Sequence, residues 1–276
     1  MDVSAYLKIQ KNYVGKTQCP NDFSIYWRQK IEECKKRLDW EEKEQEYGGK
    51  VLSTKQILYR TLDGGEGRAD YIYPLEGEIE GMVILFTDAG REIRGRHYLS
   101  RFPALGYAVL ALANRNYYRD HLWNDNDSKN IIYIDQAYTD SFLMVELGKR
   151  LISEQEKEQE IEFFFTGEGL GGSLAVTAGY MLNKKAACMI LNPCICDLKD
   201  GMELYDTRFF AKETKADILM GTGLMDTISD PLSQAALYHS FRGEKYRRIY
   251  PKYGHERINF FENDMLVFMK EGKVYD

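Results

Sequence analysis

The chain has no apolar stretch near the ~20 residues needed to cross a bilayer, so no membrane partner is expected. Its opening residues, Met1 to Lys8, have neither the basic region nor the apolar core of a secretory leader. There is no basic stripe, and the net charge of −6 argues against a nucleic-acid partner. Repeats, low-complexity tracts and Pro/Gly/Ser linkers are all missing. The five cysteines, Cys19, Cys34, Cys188, Cys194 and Cys196, form an odd, scattered set, which excludes a disulfide framework. No second Cys/His pair is spaced to complete a metal site with Cys194 and Cys196, so these read as packing residues. No metal and no cofactor is expected, and the simplest setting is a reduced cytoplasm.

What remains is enough for one large core: 276 residues, 44% of them apolar. Asn21 to Leu38 reads as an amphipathic helix capped by Asn21 or Asp22, with Phe23, Tyr26, Trp27, Ile31 and Cys34 on one side. Gln56–Thr61 and Ala69–Tyr73 alternate like hairpin strands around a Gly-rich turn. Continuous apolar runs follow at Met82–Phe86, Ala108–Leu112, Ile161–Phe165, Ala187–Leu191 and Ile218–Gly221, with a more polar sixth at Tyr246–Tyr250. Helical stretches at Arg96–Leu105, Asp135–Ser153, Gly172–Leu182 and Pro231–Ser240 separate them. Strands buried on both faces and alternating with helices predict an α/β fold: a mostly parallel sheet covered on both sides. The expectation is a single domain over 1–276, with the helix and hairpin of 1–75 packed on its core. Functional residues in such a sheet gather at the carboxyl ends of the strands.

One further absence bears on chemistry. Gly167-Glu168-Gly169-Leu170-Gly171 follows a buried strand and opens a helix. That is the spacing of the G-x-S-x-G nucleophile elbow, with Gly169 where the serine should be. Asp226, in a Gly-rich turn after a strand, and His255 follow in the chain order of acid and base. Alone, Asp226 reads as a helix cap and His255 as a structural histidine. Together after an elbow they read as a base and the carboxylate that orients it. The backbone N–H of Leu170 and one from the loop Thr87-Asp88-Ala89-Gly90, assigned to Ala89, are the candidate oxyanion donors. Ser173 is a poor substitute nucleophile, one helical turn inside and pointing away. Glu168 is an auxiliary candidate that could contact His255 or activate a water. Its plainer reading, a partly exposed turn residue, is preferred because geometry precedes pKa in such an assignment.

Longer blocks carry a family resemblance. Tyr13-Val14-Gly15 with Pro20 to Trp27, Tyr138-Thr139-Asp140, Asn192-Pro193-Cys194-Ile195-Cys196-Asp197, Gly223-Leu224-Met225-Asp226 through Pro231, and Tyr250 to Glu256 occur in order. They resemble the acetyl xylan esterase / cephalosporin-C deacetylase group, carbohydrate esterase family 7. The fourth block is similar to its "G-L-M-D-x-I-C-P-P", the last to its "Y-P-x-Y-G-H-E", and Pro193 to Asp197 to its "P-F-L-C-D-F". The resemblance implies an α/β-hydrolase fold, a Ser-Asp-His triad, deacetylation of small carbohydrates, and a homo-oligomer, often a hexamer. The departures are specific. The elbow "G-G-S-Q-G-G" has Gly169 for Ser and Leu170 for Gln, "H-G-Y" is Thr87-Asp88-Ala89, and "R-G-Q-G" is Arg115-Asn116-Tyr117-Tyr118. Segments after Asn116 and between Asp197 and Met202 look shortened, where such excursions shape pocket walls and oligomer contacts.

Loss of a triad serine lowers turnover by roughly a million-fold in a comparable hydrolase. The sequence therefore predicts a homologue without normal esterase activity that keeps a pocket for an acetylated carbohydrate or another small ligand. The alternatives are an active carboxylic-ester hydrolase of altered mechanism, with His255 activating water, and an engineered Ser-to-Gly variant.

Overall fold

The computed structural model describes residues 3–45, 49–112, 114–115, 128–155, 161–198 and 201–275. A nine-stranded sheet runs through the molecule in the order β1-β2-β3-β5-β4-β6-β7-β8-β9. Its strands are β1 (Trp40–Glu44), β2 (Leu52–Arg60), β3 (Glu66–Pro74), β4 (Gly81–Phe86), β5 (Tyr107–Leu112), β6 (Glu162–Glu168), β7 (Ala187–Leu191), β8 (Asp217–Gly223) and β9 (Lys245–Tyr250). The six expected apolar runs are its parallel part, from β5 to β9. The hairpin β2–β3 is not a separate layer. It extends the same sheet, with Ala69–Ile72 pairing antiparallel to Leu112–Val109.

Helices cover both faces: α1 (Val3–Gln10), α2 (Phe23–Arg37), α3 (Arg96–Leu99), α4 (Ser128–Gln155), α5 (Leu170–Leu182), α6 (Thr207–Glu213), α7 (Pro231–Ser240) and α8 (Asn259–Glu271). Alternation along β4 sends Met82, Ile84 and Phe86 into one core with Trp27, Phe142, Leu174 and Phe210, and Val83 into the other with Leu99, Phe261 and Met265. The helix expected over Arg96–Leu105 stops at Leu99. A 3-10 turn starts at Pro103, whose ring supplies no N–H to an α-helical ladder. Asp22 takes the N-cap position of α2 without a side-chain cap bond. Among the described residues, no helix is long and apolar enough to cross a membrane. The stretch Asn116 to Tyr118 lies outside the described residues.

Strand order fixes where chemistry can gather. The chain runs from β4 to β5 on one side, then crosses to β6 on the other side of β4. The carboxyl ends of β4 and β6 therefore flank the topological switch point, where open α/β sheets hold ligands. The parallel register pairs Phe86 with Gly167. Asp88, two residues past Phe86, is thereby brought opposite Gly169, two residues past Gly167. The helix after the elbow comes unusually close, because a side chain on Gly171 would lie 2.3 Å from the Phe86 carbonyl oxygen.

Candidate functional site

The turn between β6 and α5 has the backbone of a nucleophile elbow. Gly169 is buried at φ 55 and ψ −120, a conformation in which an L side chain is strained. Its N–H donates to Leu191 O (2.9 Å), and its carbonyl accepts from the N–H groups of Gly172 (3.1 Å) and Cys194 (3.2 Å). The residue is thus tied to the ends of both neighbouring elements.

The space over Gly169 is filled from the neighbouring strand. A Cβ at 169 would lie 2.1 Å from Asp88 Oδ1, 2.5 Å from Asp88 Cγ and 2.8 Å from His255 Nε2. The Asp88 carboxylate occupies the volume that a serine hydroxymethyl at 169 would need. Its Oδ1 accepts the N–H of Ala89 (2.8 Å) and of Leu170 (2.9 Å). These are the two donors that the sequence offers to an oxyanion, and both point at a side chain of the protein itself. Asp88 entered the sequence reading only as part of a loop supplying a backbone donor. Its side chain sits at the centre of the cluster, and only the β4–β6 register could have placed it there.

His255 stands between two carboxylates. Its Nδ1 meets Asp226 Oδ2 at 2.8 Å and its Nε2 meets Asp88 Oδ2 at 3.1 Å. The Asp226 side chain is fully buried and is also tied by Oδ1 to the N–H groups of Ile228 (2.8 Å) and Ser229 (2.9 Å). Burial alone would lower the His255 pKa, but the hydrogen bonds and charges of Asp226 and Asp88 outweigh it and push it up to about 9. Burial alone would raise the Asp88 carboxyl, yet His255, the Leu170 N–H and Arg91 hold it below the ordinary range. At neutral pH the ring is an imidazolium donating from both nitrogens, without a free lone pair to take a proton from water.

That arrangement predicts a pH dependence of stability. The folded pKa of His255 lies above its unfolded value, near 6.5, so its contribution is complete below that value and is lost as pH rises through about 9. With a chelator present, the free energy of unfolding should fall by about 2 kcal/mol between pH 6 and pH 10 in the native chain relative to His255→Gln. Parallel curves for the two proteins in urea titrations across that range would contradict the assignment.

The other candidates are otherwise engaged. Glu168 turns to arginines: its Oε2 accepts from Arg91 Nη1 (2.9 Å) and Arg257 Nε (3.1 Å). Burial raises the Glu168 pKa, with Arg257 and Arg91 opposing. Arg91 also donates to His255 O (3.1 Å), and its Nε lies 3.5 Å from Asp88 Oδ2. Ser173 is buried, its Oγ donating to Cys194 O (3.1 Å). A cavity beneath Asp88 and Glu168 is lined also by Arg94, Tyr98, Arg257 and Phe261.

A family model described as acetyl xylan esterase (AXE1) matches residues 1–209 and 200–272. Acetyl xylan esterase 1 from a Thermoanaerobacterium species is similar over 98% of this chain and 98% of its own, at 20% identity and a TM-score of 0.82. An acetyl xylan esterase from a Paenibacillus species is similar over 98% of this chain and 99% of its own, at 20% identity and a TM-score of 0.80. An acylaminoacyl peptidase from Pyrococcus horikoshii matches 83% of this chain and 43% of its own, at 16% identity and a TM-score of 0.59. At such identities the structural likeness carries the α/β-hydrolase fold alone.

Proposed function

The chain belongs to the acetyl xylan esterase family, and from that membership we propose that it is a member without serine-type esterase turnover, keeping its site for a small ligand such as an acetylated carbohydrate. One observation carries this reading. Asp88 Oδ1 takes both N–H groups that would stabilise an acyl oxyanion, while its carboxylate fills the room of the missing hydroxymethyl. An oxyanion hole works by presenting preorganised, unfilled donors to charge that develops in the transition state. Donors already satisfied by a resident carboxylate offer nothing to a new oxyanion, and that carboxylate repels one.

The alternative in which His255 activates water is disfavoured by the same contacts, since Nε2 is held by Asp88. A recent Ser-to-Gly edit is disfavoured too, because the side chain of Asp88 and the bare backbone of Gly169 fit each other. Hydrolysis of an activated acetyl ester by the native chain should fall at least about 10⁵-fold below a triad enzyme assayed beside it. Turnover at triad-like rates would sink the proposal.

A further inference from the structure

We propose that Asp88, Cys194 and His255 form a binding site for one zinc ion, with Asp226 orienting the histidine. The proposal rests on the reading that the serine route has been abandoned at this site. One ligand atom from each of the three residues lies within 4.8 Å of the others. His255 Nε2 and Asp88 Oδ2 are 3.1 Å apart. Ligand atoms on one tetrahedral zinc, bound at 2.0–2.3 Å, stand about 3.3–3.5 Å from each other. The nitrogen and oxygen are within about 0.2 Å of that spacing, and a sulfur at the 4.8 Å limit would have about 1.3 Å to close.

The rest of the cluster suits a cation. His255 Nδ1 is committed to Asp226, which leaves Nε2 as the coordinating nitrogen; a carboxylate behind a ligating histidine is the usual second partner of such sites. The side chains of Asp88, Asp226 and His255 are 4%, 0% and 7% exposed, so two carboxylates are buried around one ring. Arg91 is the nearby cation, 3.5 Å from Asp88, and it is already shared with Glu168. An ion on Nε2 takes the place of the proton that otherwise bridges His255 to Asp88. A mixed nitrogen, oxygen and thiolate set selects zinc over magnesium or calcium, and three protein ligands leave a fourth position for water.

The residues that supply the new ligands are both departures. Asp88 stands where "H-G-Y" has glycine, and Cys194 stands where "P-F-L-C-D-F" has phenylalanine. Cys196, which matches that motif's own cysteine, turns away and donates to Cys194 O at 2.6 Å. The Cys194 thiol has only a 4.0 Å approach to Asn192 O among its hydrogen-bond contacts here. A buried cysteine by itself is ordinary packing. A buried cysteine and a buried aspartate, both out of pattern and both with a ligand atom within 4.8 Å of the same histidine's, are not. Sequence spacing gave no hint of a metal because the ligands come from three distant stretches, the loops after β4 and β7 and the segment after β9.

The test is a metal titration of the full chain. After stripping with a chelator, zinc is titrated against a chromophoric competitor, and cobalt(II) is titrated while the near-ultraviolet thiolate-to-cobalt charge-transfer band is followed. The expected result is one ion per chain, a dissociation constant at or below about 1 μM, and a charge-transfer band on cobalt binding. Cys194→Ser and Asp88→Asn should each weaken zinc at least tenfold, Cys194→Ser should abolish the band, and Asp226→Asn should weaken zinc about 10–100-fold. Cys196→Ser should change neither. Absence of stoichiometric binding, absence of the band in the native chain, or zinc affinity unchanged by Cys194→Ser would overturn the proposal. If a variant fails to fold by circular dichroism, the native cobalt spectrum decides. None of these readouts uses ester hydrolysis, so an unexpectedly active esterase would refute the proposed function and leave the metal titration to decide the site.

Discussion

Asp88→Gly combined with Gly169→Ser should raise acetyl-ester kcat/KM by about 10³-fold or more over the native chain, whereas neither change alone should raise it appreciably. The two positions compete for one volume. A serine added alone would put its Cβ 2.1 Å from Asp88 Oδ1, so the carboxylate must leave the two N–H donors or the elbow must distort. Gly169→Ser by itself should therefore lower stability and leave the donors of Ala89 and Leu170 in dispute. Asp88→Gly by itself frees those donors and His255 Nε2 but supplies no nucleophile. Only the pair places a hydroxyl beside a histidine that Asp226 already holds at 2.8 Å, with both donors empty. The gain is set below the million-fold value of a triad serine because Leu170 also departs from the family elbow. A double variant no faster than either single, or a fast Gly169→Ser, would show that the exchange is not what silences the site.

That coupling also marks how far the sequence could be read. The parallel strands were legible because burial on both faces writes them as unbroken apolar runs, and β7 spans the run Ala187–Leu191 itself. The juxtaposition of Gly169, Asp226 and His255 followed from strand ends and chain order. β1 was not legible: Trp-Glu-Glu-Lys-Glu has four exposed positions in a row and no alternation. The helix α8 was readable and missed, since Phe261, Met265, Phe268 and Met269 recur at helical spacing on its buried side. Asp88 could not have been found by pattern. A short polar residue after a strand reads as a turn, and only the Phe86–Gly167 register brings its side chain over the elbow. Cys194 is harder still, because its place depends on a loop in unusual backbone conformations.

That loop leads to the second large expected effect, a loss of about 3–5 kcal/mol for Arg208→Met, or a fall of roughly 10 °C in Tm. Asn192, Ile195 and Asp197 all have positive φ, at 47°, 38° and 56°. For a β-branched residue such as Ile195 this is an outlier that persists only when the surroundings over-determine it. The surroundings here are centred on Arg208. Its Nε and Nη2 donate to Asp206 at 3.0 and 2.7 Å, its Nη2 reaches Asp197 Oδ1 at 3.1 Å, and it also donates to Val14 O (2.7 Å) and Thr17 O (3.1 Å). Asp197 in turn accepts from Tyr13 Oη and Lys16 N, while Thr207 N donates to Ile195 O at 2.9 Å. Methionine keeps much of the volume but strands the buried Asp206 carboxylate and takes one partner from Asp197, a far larger cost than losing a surface pair. The sign with pH follows. Burial already raises the Asp206 carboxyl against the pull of Arg208, and without the guanidinium it should rise further. The variant then gains from protonating Asp206, so its deficit should be largest near pH 7.5 and shrink towards pH 5 in urea unfolding. A deficit under about 1 kcal/mol, or one that grows on acidification, would mean that the loop carrying Cys194 is held by something other than this ion cluster.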